Sequence, residues 1–302
     1  MTRRLEVPAS ATGERLDRFL AGPVGSRAAA QRLIDSGRVA VDGARRAKRH
    51  QLTGGETVTI EEDEEAAETI ADEPGTAAPF TVRYEDDSLL VVDKPAGVVV
   101  HPARGHRTGT LAQGLAGRAA GGPDAGRAGI VHRLDRDTSG LLVVARSERV
   151  HRALRALLAA RAIEREYLAL VEGRPPARTG TIDAPIGRDR RVRTRISTDT
   201  DVPRDARTHF RLERALPGST LLRVRLETGR THQIRVHLGA IGHPVAGDPE
   251  YGTPGRFGLD RQFLHATRLA FNHPVTGARV DVASPLPPDL VAALRRADSA
   301  RR

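Results

Sequence analysis

Gly129-Ile130-Val131-His132-Arg133-Leu134-Asp135-Arg136-Asp137-Thr138-Ser139-Gly140-Leu141-Leu142-Val143-Val144 sets a dense polar run directly against an unbroken apolar one. Leu141 to Ala145 has the length of a strand, and its continuous apolarity predicts a strand covered on both faces. The polar run is then a loop at the edge of a sheet, with Asp135 ringed by Arg133, Arg136, Thr138 and Ser139. Two readings fit that cluster. Asp135 and Asp137 pair with the arginines on a surface turn, or the arginines keep Asp135 ionised and therefore nucleophilic.

Outward from this segment the same punctuation recurs. Leu89 to Val92 predicts a strand, Lys94-Pro95-Ala96-Gly97 a turn, and Val98 to Val100 a further strand. Ser147 can cap a helix with an apolar stripe at Val150, Leu154, Leu157 and Leu158. Tyr167 to Val171, Thr208 to Leu212 and Leu221 to Leu226 predict more strands. Helices are too few to separate every strand pair, so the fold class is α+β, a mixed and largely antiparallel sheet flanked by helices. A helix from Thr231 to Ile241, capped by Thr231 and stopped by Gly242, would bury Ile234, Leu238 and Ile241. It leaves His232 and Arg235 together on a face that can meet a ligand.

The first sixty residues form a separate pattern. Ser26 can cap a helix ending before Gly37, Arg38 to Gly43 reads as a strand entering an Asp-Gly turn, and Glu56 to Ile60 alternates like another strand. Between Gly13 and Ile60 stand nine Lys or Arg against five acids. Glu61 to Glu73 then holds eight acids and no base, followed by Pro74, Gly75 and Pro79, the composition of an extended linker. The expected organisation is a small α+β module over 13–60, an acidic linker over 61–79, a larger domain over 80–290 and a basic C-terminal tail over 291–302.

Composition narrows the function. The 302 residues carry 48 Lys and Arg against 38 Asp and Glu, a net charge of +10 that suits a polyanionic partner. The absence of cysteine excludes disulfide scaffolds, thiolate zinc sites, a cysteine nucleophile and the Cys-x-x-Cys base deaminases. No apolar run has the length of a membrane span, and no signal-peptide core follows Met1-Thr2-Arg3-Arg4, so a cytoplasmic protein is expected. Glu148 to Arg161, the long basic helix, has an Ala/Leu face suited to a core rather than to a membrane surface. At 3% aromatic residues the chain is poor in stacking platforms, so RNA would be gripped by phosphate and shape. Phosphate-cradling glycine loops, Gly-x-Ser-x-Gly and His-Glu-x-x-His are all missing. Eleven histidines invite a metal, but His232 and His237 lie five apart, off a shared helical face, and no metal is expected.

His132 to Val144 resembles the His-Arg-Leu-Asp-x-x-Thr-Ser-Gly signature of the RluA family of pseudouridine synthases. Further landmarks follow in the family's order: Asp87 to Gly97, Glu166 to Val171, Pro185 to Asp189, Gly229 to Leu238, Gly247 to Gly252 and Leu264-His265-Ala266. The N-terminal module resembles an S4 RNA-binding domain through Arg15 to Leu20, Ser26-Arg27 and Gly37 to Gly43, a pairing similar to the branch of large-subunit ribosomal RNA synthases. The resemblance implies isomerisation of uridine to pseudouridine within RNA, without cofactor, by a monomer. Ribosomal RNA is the foremost partner and transfer RNA a second. It assigns the nucleophile to Asp135, its charge partner to Arg235, and stacking on the uracil, with help in removing the C5 proton, to Tyr167. Arg133 would fill the space of the extruded nucleotide and Leu264 would floor the site, with Thr138 and His232 also on the substrate. From charge alone, Arg15, Arg27, Arg32, Arg38, Arg188, Arg190 and Arg191 either hold the RNA backbone, the last three in an arginine strip to Arg195 opposed only by Asp189, or form merely solvated faces. The alternative is a non-catalytic RNA-binding or ribosome-assembly protein on the same fold. Replacement of Asp135, Tyr167 or Arg235 would signal it, and none is replaced.

Overall fold

Val39, Val41, Val58 and Ile60 alternate with polar neighbours and bury one face of a small antiparallel sheet. Its strands are β1 (Thr2–Glu6), β2 (Val39–Val41), β3 (Ala44–Arg45) and β4 (Thr57–Glu61), in the order β1-β4-β2-β3. Asp42 and Gly43, at φ 47° and 77°, join β2 to β3 in the left-handed conformation that an Asp-Gly hairpin needs. Helices α1 (Leu16–Phe19) and α2 (Arg27–Asp35) supply Leu16, Ala30 and Ile34 to the same core. The computed structural model describes residues 2–24, 27–61, 78–102, 108–122 and 128–300 in two compact units, Met1–Gly75 and Thr76–Arg302. The Ser26 cap, most of the acidic stretch and the side chains of Arg27 and Arg32 lie outside the described residues.

In the larger unit the apolar runs become one nine-stranded sheet. Its strands are β5 (Thr81–Glu85), β6 (Leu89–Lys94), β7 (Ser139–Ala145), β8 (Glu164–Glu172), β9 (Thr179–Asp183), β12 (Arg207–Leu216), β13 (Ser219–Leu226), β14 (Leu264–Asn272) and β15 (Arg279–Ala283). The strands between, β10 (Gly187–Arg188) and β11 (Ile196–Ser197), form a separate hairpin. The sheet order is β5-β6-β7-β14-β8-β13-β12-β9, with β15 on β14. Every pairing is antiparallel except β7 with β14, where Ser139 meets His265 and Gly140 meets Ala266. Gly140 sits at φ 115°, and a Cβ there would lie 2.3 Å from the Ala266 carbonyl oxygen, so the close approach of β14 requires glycine.

All seven residues of β7 are buried, because the sheet is covered on both faces. Leu142 and Val144 join the cluster around Tyr167, Leu222 and Phe263. Leu141, Val143 and Ala145 pack on the other side against Val150 and Leu154 of a helix whose Ser147 cap accepts the Val150 amide.

Two expectations need correction. Val98 to Val100 form no strand: Val98 gives its carbonyl to the Lys94 ammonium, and Val99 and Val100 give theirs to the amides of Leu111 and Ala112, which open helix α3 (Leu111–Gly114). With Glu148–Ala159 as α4 and Gln233–Ala240 as α5, the C-terminus is helix α6 (Pro288–Ser299) rather than a basic tail from 291. Leu290, Ala293 and Ala297 recur at helical spacing and are fully buried in the main core.

Candidate active site

Asp135 occupies the loop between an isolated bridge, Ile130 to Val144, and the start of β7. Its carbonyl accepts the Thr138 amide at 3.1 Å, which closes a tight turn. The ring of arginines expected around it does not form. Arg136 turns to its neighbour Asp137 at 2.9 Å, and Arg133 is exposed, with no ion pair among the described residues. With Arg136 taken by Asp137, the charge partner of Asp135 comes from elsewhere.

That partner lies 100 residues on. Arg235, in α5, brings Nη1 to 3.4 Å from Asp135 Oδ2. Its other nitrogens are committed to Asp248: Nε donates to Oδ2 at 2.6 Å and Nη2 to Oδ1 at 2.8 Å. Asp248 is fully buried and accepts the Glu250 and Tyr251 amides as well. Burial alone would pull the Arg235 guanidinium down, but Asp248, Asp135 and Glu250 hold it above its ordinary range, a fixed cation. Beneath it the Tyr251 ring lies 5.0 Å from the guanidinium carbon, with Arg195 at 4.8 Å. The Tyr251 hydroxyl donates to the Ile196 carbonyl and meets the Ile196 amide, tying β11 to this network.

Helix α5 begins later than expected. Thr231 is not the cap; the boundary residue is His232, in the left-handed region at φ 55° with no side-chain cap. Gln233 takes over the work, accepting from the Arg230 amide and the Thr228 hydroxyl while donating to Arg207 O and Thr208 Oγ1. Ile241 falls beyond the helix and is 39% exposed, so it leaves the core stripe. His232 therefore shares no helical face with Arg235. It reaches the same cluster from the boundary, its Nδ1 3.1 Å from Tyr251 Oη and 3.4 Å from Glu250, and burial pushes its ring below the usual histidine range.

The loop bearing Asp135 is pinned along its length. His132 Nε2 accepts the Val143 amide at 3.2 Å. Lys94, fully buried, donates to the carbonyls of Pro95, Val98 and Arg136. Burial pushes that ammonium down to about 7, while Asp137 and Asp135 pull it back up. Thr138 is buried and accepts from Gln262 Nε2, so it braces the loop. Ser139 donates to His265 Nδ1, whose Nε2 donates to Ser284 O, and accepts from Arg261. Asp135 itself keeps 17% of its side chain open.

Tyr167, in the middle of β8, lies with Leu134 and Leu264 in one apolar cluster. Burial pushes its phenol up; the Arg165 charge pulls it back, and the Asp135 charge, a lesser effect, adds to the rise. A neutral phenol suits stacking better than proton removal. Arg188, Arg190 and Arg191 are exposed on the β10–β11 hairpin. The strip is not opposed only by Asp189, which accepts the Arg191 and Val192 amides; the hairpin folds Asp199 and Asp201 back onto Arg190 at 3.3 and 2.9 Å. In the small unit Arg15 is held in a two-pronged bond to buried Asp17, and Arg38 Nε donates to Ser36.

Lys94, Asp248, Glu250 and Tyr251 were visible as motif residues but carried no assigned role. The signal lay in Asp248: an acid followed by Pro249, in a chain whose buried arginine needed a counter-charge. The assembled site offers a reachable carboxylate beside a preformed cation, a neutral phenol and an apolar floor. That combination suits attack on an electron-poor carbon without change of charge in the scaffold.

Residues 88–240 match the RNA pseudouridylate synthase family and residues 14–58 match the S4 domain. A Xanthomonas campestris protein named ribosomal large subunit pseudouridine synthase D is 44% identical, covering 99% of this chain and 94% of that protein. The uncharacterized RNA pseudouridine synthase YlyB of Bacillus subtilis is 43% identical over 92% of each. Among solved structures, human RNA pseudouridylate synthase domain containing 1 aligns with a TM-score of 0.58 at 30% identity, over 74% of this chain and 90% of that one. Matched across nearly its whole length, the chain belongs to the RNA pseudouridylate synthase family, as an isomerase preceded by an S4 domain.

Proposed function

We propose that this enzyme converts uridine to pseudouridine in large-subunit ribosomal RNA, as a cytoplasmic monomer, with Asp135 as the nucleophile. The observation that carries the assignment is the geometry of Arg235. Its guanidinium is saturated by Asp248 on one side and turns Nη1 toward Asp135, a partly open carboxylate, while Glu250 lies 3.5 Å from Nη2. A carboxylate beside a permanent cation stays ionised and available to attack. Isomerisation conserves atoms and electrons, so the reaction calls for no redox partner or group donor. The uracil stacks on Tyr167 above Leu264, and exposed Arg133 fills the gap left by the extruded nucleotide. His232 and Thr138 act by holding the site's walls. Arg188, Arg191 and the arginines of the S4 unit, Arg15, Arg27, Arg32 and Arg38, meet the RNA backbone. The large-subunit target is supported by the name of the Xanthomonas relative.

The test is pseudouridine mapping on ribosomal RNA transcripts treated with wild-type enzyme and with Asp135→Asn, which removes the charge and keeps the shape. Modification at discrete large-subunit sites by the wild type alone is the expected result, with the variant slower by at least ~10⁴-fold. Activity retained by the variant would sink the nucleophile, and modification confined to transfer RNA would sink the substrate.

A further inference from the structure

Three arginines are buried among the described residues, and two are neutralised. Arg235 bonds Asp248, and Arg261 bonds Asp289 at 2.7 Å. The third, Arg165, is 7% exposed and has no carboxylate within 4 Å among the described residues; it makes one hydrogen bond, a long one of 3.3 Å from Nη2 to the Glu227 carbonyl. Its Nε is buried without a partner. A desolvated guanidinium left unpaired is costly to fold around, which makes it a candidate for a counter-charge brought by a ligand.

The position says which ligand. Arg165 and Tyr167 alternate with Glu164, Glu166 and Leu168 along β8, so both lie on the same buried face of the sheet. The Arg165 charge reaches the Tyr167 phenol, and it also opposes protonation of His132, three residues before Asp135. Its Nη1 packs under Gly229, where a Cβ would approach to 2.9 Å, at the start of the loop leading to Arg235. The RNA backbone would have to leave water to reach so enclosed a group; the extruded base already does.

We propose that Arg165 is a catalytic residue that receives the negative charge developing on the uracil. As the Asp135 carboxylate bonds to C1′ the C1′–N1 bond breaks, and its electron pair stays with the base and spreads to O2 and O4, opposite the guanidinium. After the base turns, C5 bonds to C1′ and displaces the Asp135 carboxylate, C5 gives up its proton and N1 takes one, so the base returns to neutrality and Arg165 is again unpaired. The inference rests on the proposed seating of uracil at Tyr167.

The experiment compares Arg165→Met and Arg165→Lys with the wild type on a ribosomal RNA fragment that the wild type modifies, so failure of the proposed function shows first, as an inactive wild type. Single-turnover rates at saturating enzyme, Kd and thermal unfolding are measured, and the rates are repeated on RNA carrying 5-fluorouridine, whose electron-poor base departs more easily. For Arg165→Met the expected result is a rate about 100-fold lower on uridine and less than tenfold lower on consumption of 5-fluorouridine. Kd should stay within about twofold and Tm should not fall, with Arg165→Lys recovering part of the rate. Equal defects on the two substrates together with a lower Tm would mean that Arg165 only supports the loop, and would overturn the proposal. A weaker Kd with an unchanged saturating rate would also overturn it, by placing a backbone phosphate there.

Discussion

Arginine is used in two opposite ways within one unit. Around Asp135, Arg235 is buried, fixed by two short bonds to Asp248 and stacked on Tyr251 before any substrate arrives. On the β10–β11 hairpin, Arg188, Arg191 and Arg193 are exposed and solvated. The first arrangement concentrates a charge in a place where water cannot screen it, and its value is geometric. The second offers a charge at long range that salt can cancel. The difference teaches that residue type says little about an arginine's role until its counter-charge is known.

The sharpest way to break the buried half is at Asp248. Asp248→Asn leaves Arg235 with its neighbours Asp135 and Glu250 alone, and breaking such a pair costs roughly 3 to 5 kcal/mol. Arg235→Ala should cost a similar amount in the single-turnover rate. Arg230→Ala, whose exposed side chain donates to the Asp205 carbonyl, should cost about 1 kcal/mol or less. Urea unfolding with single-turnover rates decides this, and equal rates for the Arg235 and Arg230 variants would contradict the geometry.

A second test sharpens the burial of the loop. Burial, with Arg165 nearby, pushes His132 down to about 3, whereas an unfolded chain binds that proton near the ordinary histidine value. The unfolded state therefore holds more protons between those values. Stability is fully present above the unfolded value and is lost as pH falls toward 3, by up to ~1.4 kcal/mol per pH unit. His132→Gln keeps an acceptor for the Val143 amide without a titrating ring, so its stability should fall less between pH 7 and pH 5 than that of the wild type in urea titrations.

The smallest effects belong to the hairpin. Arg191→Ala and Arg193→Ala should each flatten the slope of log affinity against log salt by about 0.7 and leave the saturating rate unchanged. A fall in that rate would join the hairpin to the buried network and blur the contrast.

Much of this could be read before the structure, and for local reasons. Leu141 to Ala145, the Asp42-Gly43 turn and the Ser147 cap depend on neighbours within a few residues, and they appear as expected. Val98 to Val100 had the apolar pattern of a strand, but their carbonyls are taken by Lys94 and α3. His232 displaced Thr231 at the start of α5 because Gln233 anchors the preceding turn on β12. Asp135 and Arg235 were legible as motif residues, whereas Asp248 as the main partner, Lys94 as a clamp and the unpaired state of Arg165 depend on tertiary distance alone.

The place of β14 in the sheet has a consequence for synthesis. It lies between β7 and β8, yet Leu264 emerges from the ribosome more than ninety residues after Glu172, the end of β8. Until then β7 and β8, both rich in buried apolar side chains, present bare edges to anything that can pair with them. The Ser139–His265 contact spans 126 residues and the Asp135–Arg235 contact 100, separations that slow folding. A nascent chain stopped short of β14 has Asp135 but lacks the strand that braces its loop, and its exposed edges make it a substrate for chaperones and a seed for aggregation.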